Sequence, residues 1–360
     1  MLAIKIPLKE TNKLRIILME KEIIDMNYKI QSSDSYGYIP INRKIDNDVI
    51  IELENELKKK LKGQNEEKIA IEVVEKNLEK IKKYPKSIAE NLEGKLSNDE
   101  IEELKTSFDI IGDVVILEIP EKLQKHKDII GHAALDFTKR KGVFMKKSAI
   151  EGITRIRQIE NIAGENETRT IHKEHGARFS LDVKDVYFSP RLATERKRIA
   201  SQVKDKEMVL DMFAGIGPFP ILIAKRRDVE IYAVDINKSA ILHMKENIHL
   251  NKLKGKIHPI HGDITQIAKN FKEKNMKFDR IIMNLPGTAY EFLDLAILLM
   301  NNNGILHYYE FAENYDQGIE RISKSALKYD KQLEILGSRK VKSSSPGQWH
   351  ICIDAKISDF

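Results

Sequence analysis

The sequence contains a single cysteine, Cys352, among 360 residues. One thiol cannot form an intrachain disulfide, and it excludes metal sites built on clusters of cysteines. No apolar stretch approaches the roughly 18 residues needed to cross a bilayer. The segment Met1–Pro7 soon meets charged side chains and lacks the apolar core of a signal peptide. We therefore expect no membrane segment, no bound metal and a cytoplasmic location.

The net charge of the chain is also small. The 61 basic residues exceed the 55 acidic ones by six, an excess that is compatible with a polyanionic partner but does not identify one. Residues 46–106 are dense in Glu and Lys, and Ile51, Leu53 and Leu57 recur at helical spacing. This pattern predicts an amphipathic helix followed by a polar linker, with most of the charge in solvated faces.

The remaining chain divides into three regions by its periodicity. Residues 1–45 contain a predicted strand, helix and strand, and form a small α+β unit. Residues 107–184 predict an α+β middle domain that opens with one strand run over 109–120. In residues 185–360, strands and helices alternate, which predicts a parallel sheet wrapped by helices and makes this region an α/β domain.

The end of the chain departs from that alternation. Residues 333–336 and 349–355 predict two strands with no helix between them. We expect these strands to pair antiparallel at one edge of the sheet.

Four predicted strand ends carry polar or small residues, and ligands bind where the strands of a doubly wound sheet end. The first end carries a loop of small residues, the second a carboxylate suited to ribose hydroxyls, the third a group suited to an adenine edge, and the fourth an amide. In chain order the candidate residues are Asp211, Phe213, Ala214, Gly215 and Gly217; Asp235 and Ile236; Asp263 and Ile264; and Asn284.

A dinucleotide fold would need G-x-G-x-x-G after the first strand, and Pro218-Phe219-Pro220 replaces the end of that motif. The four elements in order, with the terminal strand pair, instead resemble class I methyltransferases. The resemblance implies S-adenosylmethionine as the cofactor and a Rossmann-like sheet of seven strands. Asn284-Leu285-Pro286 resembles the motif of amino-group methyltransferases but lacks its following aromatic residue.

A charged segment precedes the glycine loop. After Pro190 the sequence predicts a helix in which Arg191, Glu195 and Arg198 share one face. Alone, this pattern is typical of a surface helix with ion pairs. Likewise, the alternation Thr154 to Arg157 alone is equally typical of a strand with one polar face.

Longer segments resemble the archaeal and eukaryotic tRNA (guanine-37-N1)-methyltransferase family. The resemblance covers residues 1–45 and about 109–360, and its most specific parts lie in 154–165, 170–174, 186–196, 210–219 and 284–294. It implies that residues 1–45 are a small tRNA-recognition domain and that the partner is tRNA. The chain departs from the family at Gly287, where archaeal relatives have Lys, and near residues 343–348.

The family chemistry assigns roles to several residues. Guanine N1 carries a proton at neutral pH, so its methylation needs a general base and a cation near O6. The resemblance implies that Glu195 is this base, that Arg155 stabilises O6, and that Asn284 positions the guanine. It also implies tRNA or entrance contacts by Tyr187, Arg191, Arg157 and Pro286, and cofactor contacts by Arg196 and the strand-end residues Asp211, Asp235 and Asp263.

Alternatives stay open at the level of sequence. The same cofactor serves wyosine-pathway enzymes that transfer an aminocarboxypropyl group, and a dual-activity enzyme would methylate both guanine and a tricyclic derivative. An rRNA methyltransferase is another possibility, and a non-catalytic RNA-binding protein with an idle cofactor pocket belongs to a different class. We expect a monomer that modifies tRNA.

Overall fold

A computed structural model describes residues 1–60, 70–81, 85–105, 107–148, 152 and 157–360. The chain forms two compact units, Met1–Tyr84 and Pro85–Phe360. Within the described residues, no helix is both long and apolar enough to cross a membrane.

The first unit is an antiparallel sheet covered by two helices. Its sheet has the strand order β2-β3-β1-β4, and its core includes Ile4, Ile6, Leu14 and Leu53. The elements are β1 (Leu2–Pro7), α1 (Thr11–Glu20), β2 (Gln31–Ser32), β3 (Tyr36–Pro40), α2 (Asn47–Lys60) and β4 (Glu72–Glu75).

The predicted boundary at residue 45 is wrong, because this unit continues to Tyr84. Strand β4 pairs antiparallel with β1, so that Ile4 lies opposite Val73. Helix α2 buries Leu53 and Leu57 in the same core. The charged composition of 46–106 therefore conceals a helix and a strand that complete the first unit.

This pairing predicts different outcomes for two truncations. A chain beginning at residue 85 keeps the whole second unit and should be monomeric and folded. A chain beginning at residue 46 leaves Leu53 and Leu57 without β1 and α1, so it exposes apolar surface and should aggregate. Size-exclusion chromatography of both truncations checks this, and a monodisperse chain from residue 46 would contradict the structure.

The second unit begins with an α+β region. Its four-stranded sheet has the order β5-β6-β7-β8, and a hairpin, β9 and β10, follows. The elements are α3 (Asn98–Glu102), β5 (Phe108–Ile111), β6 (Val114–Leu117), α4 (Lys127–Thr138), β7 (Gly142–Lys146), β8 (Ile159–Gly164), β9 (Arg169–Glu174) and β10 (Ala177–Asp182).

Two predictions about this region need correction. The single strand over 109–120 is a hairpin, because Gly112 has a φ of +57° and a side chain there would meet Thr170 at 2.2 Å from its Oγ1. The predicted start at 107 is also wrong, since Leu92 and Leu104 pack in the same core as Val115.

The remaining chain forms a seven-stranded sheet with the order β13-β12-β11-β14-β15-β17-β16. Strands β11 to β15 are parallel, and β17 runs antiparallel to both neighbours. The elements are α5 (Ala193–Gln202), β11 (Met208–Asp211), α6 (Pro218–Ala224), β12 (Glu230–Asp235), α7 (Lys238–Leu250), β13 (Lys256–His261), α8 (Ile264–Glu273), β14 (Phe278–Met283), α9 (Leu293–Leu299), β15 (Met300–Ala312), α10 (Asp316–Lys328), β16 (Lys331–Ser345) and β17 (Gln348–Asp359).

The α/β sheet and the antiparallel terminal pair are confirmed. Because β11, β12, β13 and β14 are parallel, their carboxyl ends lie at one edge of the sheet. The order reverses between β11 and β14, so this edge contains the switch point at which a ligand crevice forms.

Candidate active site

A cavity of about 750 Å³ opens at this edge of the sheet. One part is formed by the ends of β11, β12 and β13 with the residues that follow them. The other is formed by the segment before α5, the loop after β14 and three further strands. The first part is lined by Phe213, Ala214, Gly215, Asp235, Ile236, Asp263 and Ile264; the second by Tyr187, Asn284, Pro286, Phe311, Lys342 and His350.

The loop after β11 is held close to its neighbours by backbone bonds. The amide of Met212 donates to the carbonyl of Ile282 (3.1 Å), and that of Ala214 to the carbonyl of Val234 (2.9 Å). Gly217 has a φ of +82°, and a Cβ there would lie 2.7 Å from Cγ of Met244. Glycine is therefore required at this position, and the loop backbone can approach a ligand closely.

Asp235 is fixed by that loop. Its Oδ2 accepts a hydrogen bond from the Gly215 amide (2.6 Å), and its Oδ1 accepts from the Asn237 amide (2.8 Å). Burial raises the pKa of Asp235. Each carboxylate oxygen keeps acceptor capacity, so the residue fits a pair of ribose hydroxyls.

Asp263 and Ile264 have partly structural roles. Asp263 caps α8, and its Oδ1 accepts from the amide of Thr265 (2.7 Å). Ile264 is buried, whereas Ile236 is exposed at the cavity wall.

Asp211 is fully buried behind the loop. Its Oδ1 accepts a long bond from the Phe213 amide (3.3 Å), and its Oδ2 has no hydrogen-bond partner in the described chain. Burial, together with the nearby charge of Asp235, raises the pKa of Asp211 to about 8. An unpartnered buried carboxyl next to a cavity is a group that a polar or cationic ligand would satisfy.

This pKa gives a prediction about stability. Between about pH 4 and pH 8, Asp211 binds a proton in the folded chain but not in the unfolded chain, so its contribution to the free energy of unfolding falls as pH rises. The slope is at most about 1.4 kcal/mol per pH unit. Urea unfolding at several pH values should show a flatter decline for Asp211→Asn than for the wild type. Parallel slopes would contradict the raised pKa.

Glu195 is buried, with 2% of its surface exposed, and does not line the cavity. Arg198 donates to it from Nη2 (2.6 Å, Oε1) and Nε (3.0 Å, Oε2), and the Tyr309 hydroxyl donates to Oε1 (2.8 Å). Arg339 Nε lies 3.5 Å from its Oε2. On the same helix, Arg196 lines the cavity. The carboxylate thus lies behind the cavity wall, held by cations.

Arg198 connects Glu195 to a chain of buried charges. Arg198 also pairs with Asp354, which accepts a hydrogen bond from Nδ1 of His307 (2.6 Å). Nε2 of His307 lies 2.7 Å from the Arg280 guanidinium. Since arginine only donates, His307 is neutral with its proton on Nδ1. Although burial opposes it, the bonds from His307 and Arg198 hold the pKa of Asp354 well below its usual range.

Three arginines that the sequence predicted to contact cofactor or tRNA either form ion pairs or lie outside the cavity lining. Arg196 is buried and makes two hydrogen bonds to Glu174 (2.8 and 2.5 Å) while also lining the cavity. Arg191 is 45% exposed and pairs with Asp109 (2.6 Å). Nε of Arg157 is buried without a hydrogen-bond partner in the described chain. Neither Arg191 nor Arg157 lines the cavity.

The other predicted substrate residues meet at the cavity. Tyr187, Asn284 and Pro286 all line it, and Oδ1 of Asn284 is buried without a hydrogen-bond partner in the described chain. The prediction for Arg155 lies outside the described residues. Among the residues that the structure describes, no group of three or more His, Cys, Asp or Glu is placed to hold a metal.

Sequence reasoning missed one row of the cavity wall. Phe311 on β15 lies opposite His350 on β17, and His350 lies opposite Lys342 on β16. A register shift in β16 between Lys340 and Lys342 sets the last of these pairings. All three side chains line the cavity. The one sequence signal for this row was the missing aromatic residue after Pro286, because a ring that stacks on a base would then have to come from another segment of the chain.

Comparison with known proteins identifies the family to which this chain belongs. A model of the TRM5/TYW2 methyltransferase domain matches residues 170–336, a TYW2 N-terminal domain model matches 88–168, and a tRNA methyltransferase 5 N-terminal domain model matches 3–50. The tRNA (guanine(37)-N(1))-methyltransferase Trm5b of Pyrococcus abyssi is 42% identical over 99% of both chains. The chain belongs to the TRM5/TYW2 methyltransferase family.

Two solved structures of family members resemble this one. The complex of aTrm5 with tRNALeu has a TM-score of 0.83 and 39% identity over 99% of both chains. TYW2 of Methanocaldococcus jannaschii in complex with AdoMet has a TM-score of 0.55 and 31% identity, covering 71% of this chain and 100% of that one. The predicted family and fold class are confirmed. Individual roles of the TRM5/TYW2 site residues stay predictions.

Proposed function

We propose that this chain transfers a methyl group from S-adenosylmethionine to N1 of guanine 37 in tRNA, the reaction named for its 42% identical relative. The observation that carries the proposal is a single cavity that joins Asp235 and the glycine loop to Asn284 and Tyr187. One part fits a nucleoside cofactor, and the adjoining part fits a base. Methyl transfer needs both groups in contact within one enclosed space.

The residues present fit the cofactor. Asp235 accepts from the ribose hydroxyls, and Gly215 and Gly217 let the backbone pass close to the ligand. The unpartnered Oδ2 of Asp211 is a buried polar atom behind that loop that a polar group of the ligand can satisfy by hydrogen bonding. When bound, S-adenosylmethionine supplies an electrophilic methyl group.

Asn284 and Glu195 divide the work on the guanine. The free acceptor of Asn284 binds an N–H on the base edge and orients it. Glu195 takes the N1 proton as the methyl group bonds to N1, and Arg155 stabilises the negative charge on O6. Since the Glu195 carboxylate faces Arg198, this role requires its side chain to rotate toward the cavity when tRNA binds.

The first unit offers a surface for tRNA. On the sheet face away from its core, Lys5 lies over the ring of Tyr36 (4.4 Å), and Lys76 over the ring of Tyr38 (3.5 Å). Cations interleaved with aromatic rings fit phosphates and bases together. We infer that this face is the tRNA-recognition surface. The monomeric state and the cytoplasmic location of the enzyme stay predictions.

Unmodified tRNA and, in a separate reaction, unmodified rRNA are incubated with the protein and S-adenosylmethionine, and nuclease mapping with mass spectrometry of the products tests the proposal. We expect one added methyl on guanine 37. A much heavier adduct would instead indicate aminocarboxypropyl transfer, and methylation of rRNA alone would identify another substrate. The absence of any product would indicate a non-catalytic RNA-binding protein. Each of these three outcomes overturns the proposal.

A further inference from the structure

The row Phe311–His350–Lys342 crosses three adjacent strands and faces the cavity. The neighbouring row consists of Tyr309, Cys352 and Arg339, two residues along β15 and β17 and three residues along β16, where the register shifts. Tyr309 and Arg339 of that second row contact Glu195. Two residues of a strand span about 7 Å. A flat ligand on the first row therefore lies one row from the proposed base.

Phe311 takes the place of a missing aromatic residue. The loop Asn284-Leu285-Pro286 is followed by Gly287, so it has no ring of its own with which to stack a base. The amide of Phe311 donates to the carbonyl of Pro286 (3.0 Å), which fixes the strand beside this loop. Strand β15 therefore supplies the aromatic ring that this loop lacks.

The ring of Phe311 has an accessible surface and a firm support. The residue is 38% exposed even though it lines a cavity. His350 packs against it at 5.5 Å between ring centroids, and Tyr309 packs against His350 at 5.4 Å, both edge to face. An exposed ring held by a buried aromatic row favours a planar aromatic ligand, because such a ligand covers apolar area without moving the wall.

Lys342 adds a positive charge to the same row. Its side chain is half-buried at the cavity, and among the described residues no carboxylate forms an ion pair with it. A ring and a cation side by side match a nucleotide, which carries a base and a phosphate. A bare adenosyl group, which carries no negative charge, would leave the cation without a partner.

We propose that Phe311, supported by His350, stacks against the target guanine, and that Lys342 neutralises a phosphate of the same or the adjoining nucleotide. This subsite rests on the proposed function, because it assigns the target base to that half of the cavity. It also gives the base the support that the loop after β14 does not provide.

Phe311→Ala should lower kcat/KM for tRNA by roughly 5- to 150-fold, the range for one base stacked on an aromatic side chain. Phe311→Trp should restore most of the loss, whereas Phe311→Leu, which keeps apolar volume without a π-face, should not. In tRNA with 2-aminopurine at position 37, bound fluorescence should be brighter with the alanine variant, because the quenching ring is gone. Phe360→Ala, an exposed phenylalanine away from the cavity, is the matched control.

Lys342→Ala should raise KM for tRNA and reduce the slope of log affinity against log salt by about one unit, while Lys342→Arg should retain both. Affinity for S-adenosylmethionine should be unchanged in the Phe311 and Lys342 variants. If the wild type is active and Phe311→Ala and Lys342→Ala have the same tRNA kinetics as the wild type, the subsite alone is overturned. Variants with weakened cofactor binding and normal tRNA kinetics would also overturn it. An inactive wild type overturns the proposed function instead.

Discussion

Glu195→Gln is expected to slow single-turnover methyl transfer by about 10²- to 10⁴-fold, the usual contribution of a general base. The amide cannot accept the N1 proton, but it keeps the shape of the side chain and one acceptor for Arg198 and Tyr309. Binding of cofactor and of tRNA should therefore change little. Rapid-quench measurement of the methylated product, with both ligands saturating, checks the prediction.

The chain offers a matched control for this variant. Glu207 is a largely buried carboxylate, 14% exposed, that accepts two hydrogen bonds from Arg280 (2.7 and 3.0 Å), much as Glu195 does from Arg198, but it does not line the cavity or contact Glu195. Glu207→Gln should lower the free energy of unfolding without a comparable loss of rate. If both variants lost activity in proportion to their stability, Glu195 would be a structural residue.

Asp235→Ala should weaken S-adenosylmethionine binding by about 10²- to 10⁴-fold. The variant loses two charge-assisted hydrogen bonds to ribose, each worth about 1.5–3 kcal/mol, and it releases the amides of Gly215 and Asn237. Isothermal titration calorimetry with the cofactor measures the loss directly.

Asp279→Ala is the control for this measurement. Asp279 also lies on the seven-stranded sheet and accepts from the Met208 amide (2.8 Å) and from Asn301 (2.6 Å), but it does not line the cavity. Its loss should affect stability and not affinity. A nearly unchanged dissociation constant for Asp235→Ala would move the ribose away from this carboxylate.

The strand-end half of the site could be predicted from the sequence because it depends on local order. Parallel strands bring their carboxyl ends to one edge, so Asp211, Asp235 and Asn284 had to meet there. Short-range rules also sufficed for the helix after Pro190.

The other half depends on pairings between distant segments. Whether Lys342 or Val341 lies opposite His350 is set by a register shift that no local pattern encodes. Besides Arg198 on its own helix, the partners of Glu195 come from β15 and β16, more than 100 residues away. The sequence therefore predicted its helix face but not its position behind the wall. Strand β4 was missed because four residues in a charged stretch carry little periodicity.

The pairing of β4 with β1 also bears on the order in which the protein is made. Met1 and Lys76 exchange two backbone hydrogen bonds (3.1 and 2.9 Å), so the first unit closes on its own opening strand. All of its strands have left the ribosome before any residue of the cavity is synthesised. The unit can therefore fold during translation, and the nascent chain acquires its proposed RNA-recognition surface before it has a catalytic centre.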